Sequence, residues 1–155
     1  MREVIRLLDV SPGVGELGTA VRDSEPPEQL VISAARLGDI TTLKTCIRNY
    51  INLNVEDQNG NNALHIVIQL MHSEAFDLLL SARIDKNAMT NFCRTPLHWA
   101  VIVGDERFVT ALLASGARVD LRDLDGMTPA DYAHIMKNPD ILDRLRNLRA
   151  CHRGR

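Results

Sequence analysis

Apolar positions along the chain fall into short helical stripes, and the stripes recur in phase. Around Leu97 the sequence reads Thr95-Pro96-Leu97-His98-Trp99-Ala100. Leu64 stands 33 residues upstream, in Asn62-Ala63-Leu64-His65-Ile66-Val67, and Ala130 stands 33 residues downstream, in Thr128-Pro129-Ala130-Asp131-Tyr132-Ala133. One more step back lands on Val31, in Val31-Ile32-Ser33-Ala34-Ala35. Other columns keep the same phase: Gly38 with Gly104, Asp57 and Gly60 with Asp123 and Gly126, and Asp39 with His72, Asp105 and Asn138. Apolar pairs recur as Cys46-Ile47, Leu79-Leu80 and Leu112-Leu113. A period of this length marks stacked supersecondary units.

The residue types in each column predict the local structure. Thr95 and Thr128 suit an N-cap, where the hydroxyl accepts from an early helix N–H, and Asn62 suits the same role. Pro96 and Pro129 then occupy the first helical position, where a missing N–H costs nothing. A short helix follows and ends near Gly104, which can turn the chain left-handed. A second helix is predicted from about Glu106 to Ser115, with Phe108, Val109, Leu112 and Leu113 on one stripe and Gly116 at its end. An extended stretch then leads to a tight turn at Asp123-Leu124-Asp125-Gly126. Each unit is therefore helix, turn, helix and a projecting hairpin-like loop.

These phased units resemble the ankyrin-repeat family over about Glu28 to Leu148. The resemblance implies an all-α solenoid of stacked helix-turn-helix units with projecting hairpin-like loops. Its units are expected at about 28–56, 57–89, 90–122 and 123–150, after a leader at 1–27 and before a basic tail at 151–155. The first unit lacks the TPLH motif, and in the last Arg146 replaces the second residue of the Leu-Leu pair, with Arg144 nearby. Both ends therefore read as polar caps, and the array reads as complete. The predicted spine is Leu64, Leu79, Leu80, Leu97, Leu112, Leu113, Leu142 and Leu145.

The second unit departs most from the pattern. Met71 stands where Gly is usual, which predicts a looser turn. Val67-Ile68 replaces Ala-Ala and demands more room. Thr90 and Cys93 replace the Asp and Gly of the loop, and Arg83-Ile84 replaces the Gly-Ala seen at Gly116-Ala117. The expectation is a hairpin without its normal turn residues and local strain or mobility over 83–93. In the leader, Ser11-Pro12-Gly13-Val14-Gly15 and Glu25-Pro26-Pro27 are breaker-rich, whereas Met1–Val10 suits one short amphipathic helix.

Composition narrows the chemistry. The 155 residues carry a net charge of −2 and ordinary apolar and charged fractions, so no general nucleic-acid or membrane footprint is expected. Arg2, Glu3, Arg6 and Asp9 interrupt the apolar N-terminal stripe, which argues against a signal peptide. Three cysteines without paired spacing, Cys46, Cys93 and Cys151, suit a reducing compartment, cytoplasm or nucleus. They form no zinc pattern, although Cys93, in a loop column, is a candidate exposed thiol. Gly13, Gly15 and Gly18 fit no phosphate-loop fingerprint. No catalytic constellation, metal site or cofactor is expected. In the resembled family His65 and His98 bond to backbone in the turn and neighbouring unit. Asn87 lies eight residues after Leu79 in a partial asparaginyl-hydroxylase motif in which Lys86 replaces an aliphatic residue.

The resemblance also implies a concave binding surface formed by loop tips and first helices. Column by column this surface is Arg36 and Leu37, then Gln58, Asn59, Asn61, Gln69 and Leu70. The third unit adds Met89, Asn91, Phe92, Arg94, Ile102 and Val103, and the last adds Arg122, Leu124, Asp125, Met127, His134 and Ile135. The surface changes from polar to apolar at Leu70. Leu70, Met89, Phe92, Ile102, Val103, Leu124, Met127 and Ile135 are the candidate protein-binding residues, with Arg94 as a charged anchor. The expected function is a small adaptor or inhibitor, monomeric alone, that masks a partner protein in signalling or transcription. One alternative is attachment to nucleic acid or a membrane surface through the five arginines of 144–155. Another is a pathogen or viral effector that mimics a host inhibitor.

Overall fold

The computed structural model describes residues 26–82 and 84–152, with the backbone alone for 148–152. Met1–Val10, Arg83 and the last three residues lie outside the described part, and with them the expected leader helix. Among the described residues eight helices follow one another and no strand occurs. Inner helices α1 (Pro27–Leu37), α3 (Ala63–Gln69), α5 (Pro96–Val103) and α7 (Pro129–Ile135) alternate with outer helices α2 (Ile40–Arg48), α4 (Ser73–Ser81), α6 (Glu106–Ala114) and α8 (Pro139–His152). Each inner helix packs on the next inner helix and on its own outer partner, so the core extends along one direction.

The period found in the sequence governs the caps. Thr95 Oγ1 accepts from the His98 N–H at 3.4 Å, while the Thr95 N–H donates to His98 Nδ1 at 3.1 Å. Asn62 with His65 and Thr128 with Asp131 repeat this reciprocal box, the imidazole or carboxylate doing the work of the usual Glu. The first unit has no such box: Pro26 caps α1 without a side-chain bond, and Pro27 is its first residue. The Pro-Pro pair read as leader thus carries the start of α1. At the other end α8 runs through the expected 150/151 boundary to His152.

Left-handed residues recur at the turns. Gly38 (φ 65°), Met71 (61°), Gly104 (79°) and Lys137 (55°) occupy one column; Gly60 (75°), Cys93 (57°) and Gly126 (74°) occupy another. The looser turn expected at Met71 does not occur, because the residue takes the glycine conformation. The hairpin before the third unit is likewise intact. The Thr90 hydroxyl accepts from the Phe92 and Arg94 N–H groups at 3.3 and 3.2 Å. Asp57 accepts in the same way from Asn59 and Asn61, and Asp123 from Asp125 and Met127. Thr90 therefore replaces the carboxylate, and Cys93 replaces the glycine.

The core is aliphatic. Leu64, Leu79, Leu97, Leu112 and Leu145 are fully buried, whereas Leu80, Leu113 and Leu142 are only half-buried, so the spine is narrower than expected. Val67 and Ile68 are fully buried without disrupting the stack; Val67 is flanked in its column by Ala34 and Ala100, whose small side chains leave it room. The outer helices meet through Phe76 and Phe108, ring centroids 4.6 Å apart. At the first end Thr42 occupies the column of Ala75, Phe108 and Ile141 and bonds Asp39 at 2.6 Å, presenting a polar surface. At the last end Arg146 is exposed, and Arg144 bonds Glu106 and Thr110.

Candidate protein-binding face

The hairpins and inner helices carry the face, and backbone bonds fix how successive tips align. The Asn91 N–H donates to the Asn59 carbonyl at 3.0 Å, and the Leu124 N–H donates to the Phe92 carbonyl at 3.1 Å. Below them the two buried histidines tie each inner helix to the next hairpin. With Nδ1 accepting from its own N-cap, Nε2–H of His65 donates to the Arg94 carbonyl at 3.0 Å, and that of His98 donates to the Met127 carbonyl at 3.1 Å. Burial pulls the His65 pKa down to about 4 and lowers that of His98, so both imidazoles are neutral near pH 7. This is hydrogen-bonded structural chemistry, with neither ring directed at an open cleft.

The candidate residues separate into an exposed group and a half-buried group. Phe92 (60% exposed), Leu124 (67%) and Ile135 (58%) project most, with Leu70 and Met89 also exposed. Ile102, Val103 and Met127 are half-buried. Phe92 and Leu124 stand on hydrogen-bonded neighbouring tips, which makes the apolar surface continuous from the third unit to the fourth.

Arg94 has a different place from the one expected of a charged anchor. Its side chain is 26% exposed and its Nε donates to Asp123 Oδ2 at 3.3 Å. One terminal nitrogen donates to the Tyr132 hydroxyl at 2.9 Å and lies 3.7 Å from Asp125. The guanidinium also sits 5.5 to 6.0 Å from the ring centres of Phe92, Trp99 and Tyr132. Tyr132 donates to Asp123 at 2.6 Å, which completes the network. Burial alone would raise the Asp123 pKa, but the Tyr132 hydroxyl, the Met127 and Asp125 N–H groups and Arg94 outweigh it and hold the carboxyl below its usual range. Arg94 is thus consumed in joining the last two units, because a buried carboxylate and three rings compete for it.

Several exposed apolar residues escaped the column reading. Met136, 51% exposed, is the counterpart of Leu37, Leu70 and Val103, 33 residues after Val103; the sequence reading instead took His134 and Ile135 in the last unit. Trp99 and Tyr132 share a column on the inner helices and are half-buried, with the Arg94 guanidinium over both rings. Met71 and Tyr50 are also exposed, the latter on the turn after α2. Asn87, considered as a modification site, is half-buried: its Oδ1 accepts from the Arg118 N–H at 2.9 Å, as Asn54 Oδ1 accepts from the Asp85 N–H at 2.7 Å one unit earlier. The described residues hold no group of three or more His, Cys, Asp or Glu suited to a metal, and no helix among them is long and apolar enough to cross a membrane.

Comparison with known proteins agrees with this architecture. A family model described as ankyrin repeats (3 copies) matches residues 30–123 and 79–152. Inversin of Gallus gallus is 34% identical over 116 residues, which cover 74% of this chain and 10% of that protein. The nuclear factor NF-kappa-B p105 subunit of Gallus gallus is 38% identical over 97 residues, covering 59% of this chain and 10% of its own length. An ankyrin repeat protein of fowlpox virus, FPV244, is 38% identical over 69 residues, 44% of this chain and 10% of the viral protein. The chain spans about a tenth of the length of these relatives. With its stacked helix pairs, reciprocal caps and bonded hairpin tips, the chain belongs to the ankyrin-repeat family, a family of protein-interaction modules.

Proposed function

We propose that this chain is a small adaptor or inhibitor that covers an apolar surface of a partner protein in signalling or transcription. The observation that carries this reading is the exposure of Phe92 and Leu124 on hydrogen-bonded neighbouring tips, with Ile135 exposed at the end of the last inner helix. A contiguous exposed apolar patch is what a protein interface needs at its centre, and side chains already held by a folded scaffold lose little entropy on binding. Ile102, Val103 and Met127, half-buried on the same units, add apolar surface to this face. Similarity to the NF-kappa-B p105 subunit supports a partner connected with transcription. The same patch suits an effector of a pathogen, for which similarity to the fowlpox virus protein is the supporting observation.

Attachment through the C-terminal arginines is less supported, since Arg144 is committed to Glu106 and Thr110. A photo-cross-linking amino acid introduced at Leu124 or Ile135, and separately at Lys44 on α2, tests the binding reading in cell lysate. Adducts from positions 124 and 135, lost when Phe92 is also changed to Ser, are expected. Equal adducts from position 44 would remove the basis for the proposal.

A further inference from the structure

Three residues at the same place in successive hairpins indicate what kind of segment this face receives. Glu56, Met89 and Arg122 each stand immediately before the turn residue, Asp57, Thr90 or Asp123, and all three are exposed. The column therefore passes from acidic through apolar to basic along the stack. Glu56 has no ion-pair partner among the described residues, and it borders two adjoining grooves of about 280 and 630 Å³ that share Gln29 and Ile32. Glu28, also without an ion pair there, borders the smaller groove. Arg36 in the larger one is neutralised by Asp57 at 3.0 Å. At the other end Arg122 donates, among the described residues, to the neutral Gly126 carbonyl, while the nearby Asp125 carboxylate lies against Arg94. Lys137, also without a carboxylate partner among the described residues, adds positive charge to the last unit.

We infer that the face binds an extended stretch of a partner polypeptide crossing the hairpins, with a basic residue over Glu56, an apolar residue over Met89 and Phe92, and an acidic residue over Arg122. The inference rests on the protein-binding reading above and adds the partner's chemistry and its direction. Charge complementarity fixes the order, because reversing the segment would put like charges together at both ends. Spacing selects the conformation. Packed helices lie about 8–10 Å apart, so each unit advances a bound segment by that distance. A polyproline II stretch has three residues per turn and rises about 3.1 Å per residue, so residues i, i+3 and i+6 share one edge about 9 Å apart. A β-strand would turn every third residue to the opposite side.

A displayed library of random peptides, selected against the full chain, tests this directly. Selected peptides are expected to carry Lys or Arg, then an apolar residue, then Asp or Glu at about three-residue intervals, in one chain direction. The double variant Glu56→Arg/Arg122→Glu should bind them at least about tenfold more weakly and should select the opposite order. Glu56→Gln and Arg122→Gln, each shown by circular dichroism to be folded, should each weaken binding in part. Selected peptides without a charge order, peptides indifferent to the exchange, or no selected peptide would overturn the inference. Peptides that need Phe92 and Leu124 but ignore the charge exchange would leave the protein-binding reading standing and remove only the direction. Peptides indifferent to both would remove both.

Discussion

At the scale of single residues, glycine positions occupied by other residues show how the fold tolerates its own irregularities. Cys93 and Met71 hold φ values of 57° and 61° in columns where Gly60, Gly126, Gly38 and Gly104 hold the same conformation. An L-residue there costs about 1–2 kcal/mol, partly offset because glycine loses more backbone freedom on folding. Cys93→Gly and Met71→Gly should therefore each stabilise the chain by about 0.5–1 kcal/mol, read from urea midpoints. A lower midpoint for both would contradict the assignment of strain. The sequence showed that the usual residues were missing but gave no sign that Thr90 would supply the lost acceptor, since a hydroxyl in place of a carboxylate changes residue class while keeping one oxygen in reach.

The histidines are a second residue-scale feature, and their direction of shift makes a pH prediction. His65 is depressed to about 4 by burial from an ordinary value of 6.5. Between these values the unfolded chain binds the proton and the folded chain resists it, so stability falls as pH drops through that window. The loss from His65 alone is on the order of 3 kcal/mol. His98 acts in the same direction, and the lowered carboxyls of Asp57 and Asp123 lose their contribution at still lower pH. Urea midpoints measured from pH 7 to pH 4 should decline, with a shallower slope in a His65→Gln variant. An unchanged slope in that variant would show that the imidazole is not buried and neutral.

At the scale of elements, helix starts were legible wherever a Thr or Asn preceded the apolar stripe, because the cap and the Pro beside it have one physical use. The start of α1 was not: Pro26-Pro27 carries the same first-position proline, but without a hydroxyl cap it read as a breaker. The boundary expected at 150/151 falls inside α8, since no Gly or Pro stands between Pro139 and Gly154 to mark a stop. Burial within an element was also only partly legible. Leu112 and Leu113 look alike in the sequence, yet Leu112 is fully buried between units while Leu113 is half-buried. Leu97→Ala or Leu112→Ala should cost about 2–5 kcal/mol. Leu113→Ala should cost about 1–2 kcal/mol, because less apolar area leaves water. Equal losses at positions 112 and 113 would contradict the registration of α6.

At the scale of the whole molecule, the period was the most legible property, because each unit must present matching surfaces to its neighbours to bury its core. The columns of the candidate face were legible in outline: Phe92, Leu124 and Ile135 are exposed, but in the last unit the columns were read one residue early, which passed over Met136. The same reading offered Arg94 to a partner, since spacing along one chain does not reveal that Asp123 and Tyr132 converge on the guanidinium from the next unit. The face that results is rigid underneath, through the histidine bonds and the Arg94 network, and apolar on top. Such an arrangement separates binding from stability, as exposed side chains contribute little to the core they stand on.

That separation is most directly measured with Phe92→Ala, Leu124→Ala and Ile135→Ala, determining for each variant the dissociation constant of the partner cross-linked to this face and the urea midpoint of the free chain. The account predicts affinity losses of about 1–2 kcal/mol or more for at least Phe92 and Leu124, with midpoints that correspond to stability changes within about 0.5 kcal/mol. Unchanged affinity together with a large fall in stability would show that these side chains serve the core and that partners bind elsewhere.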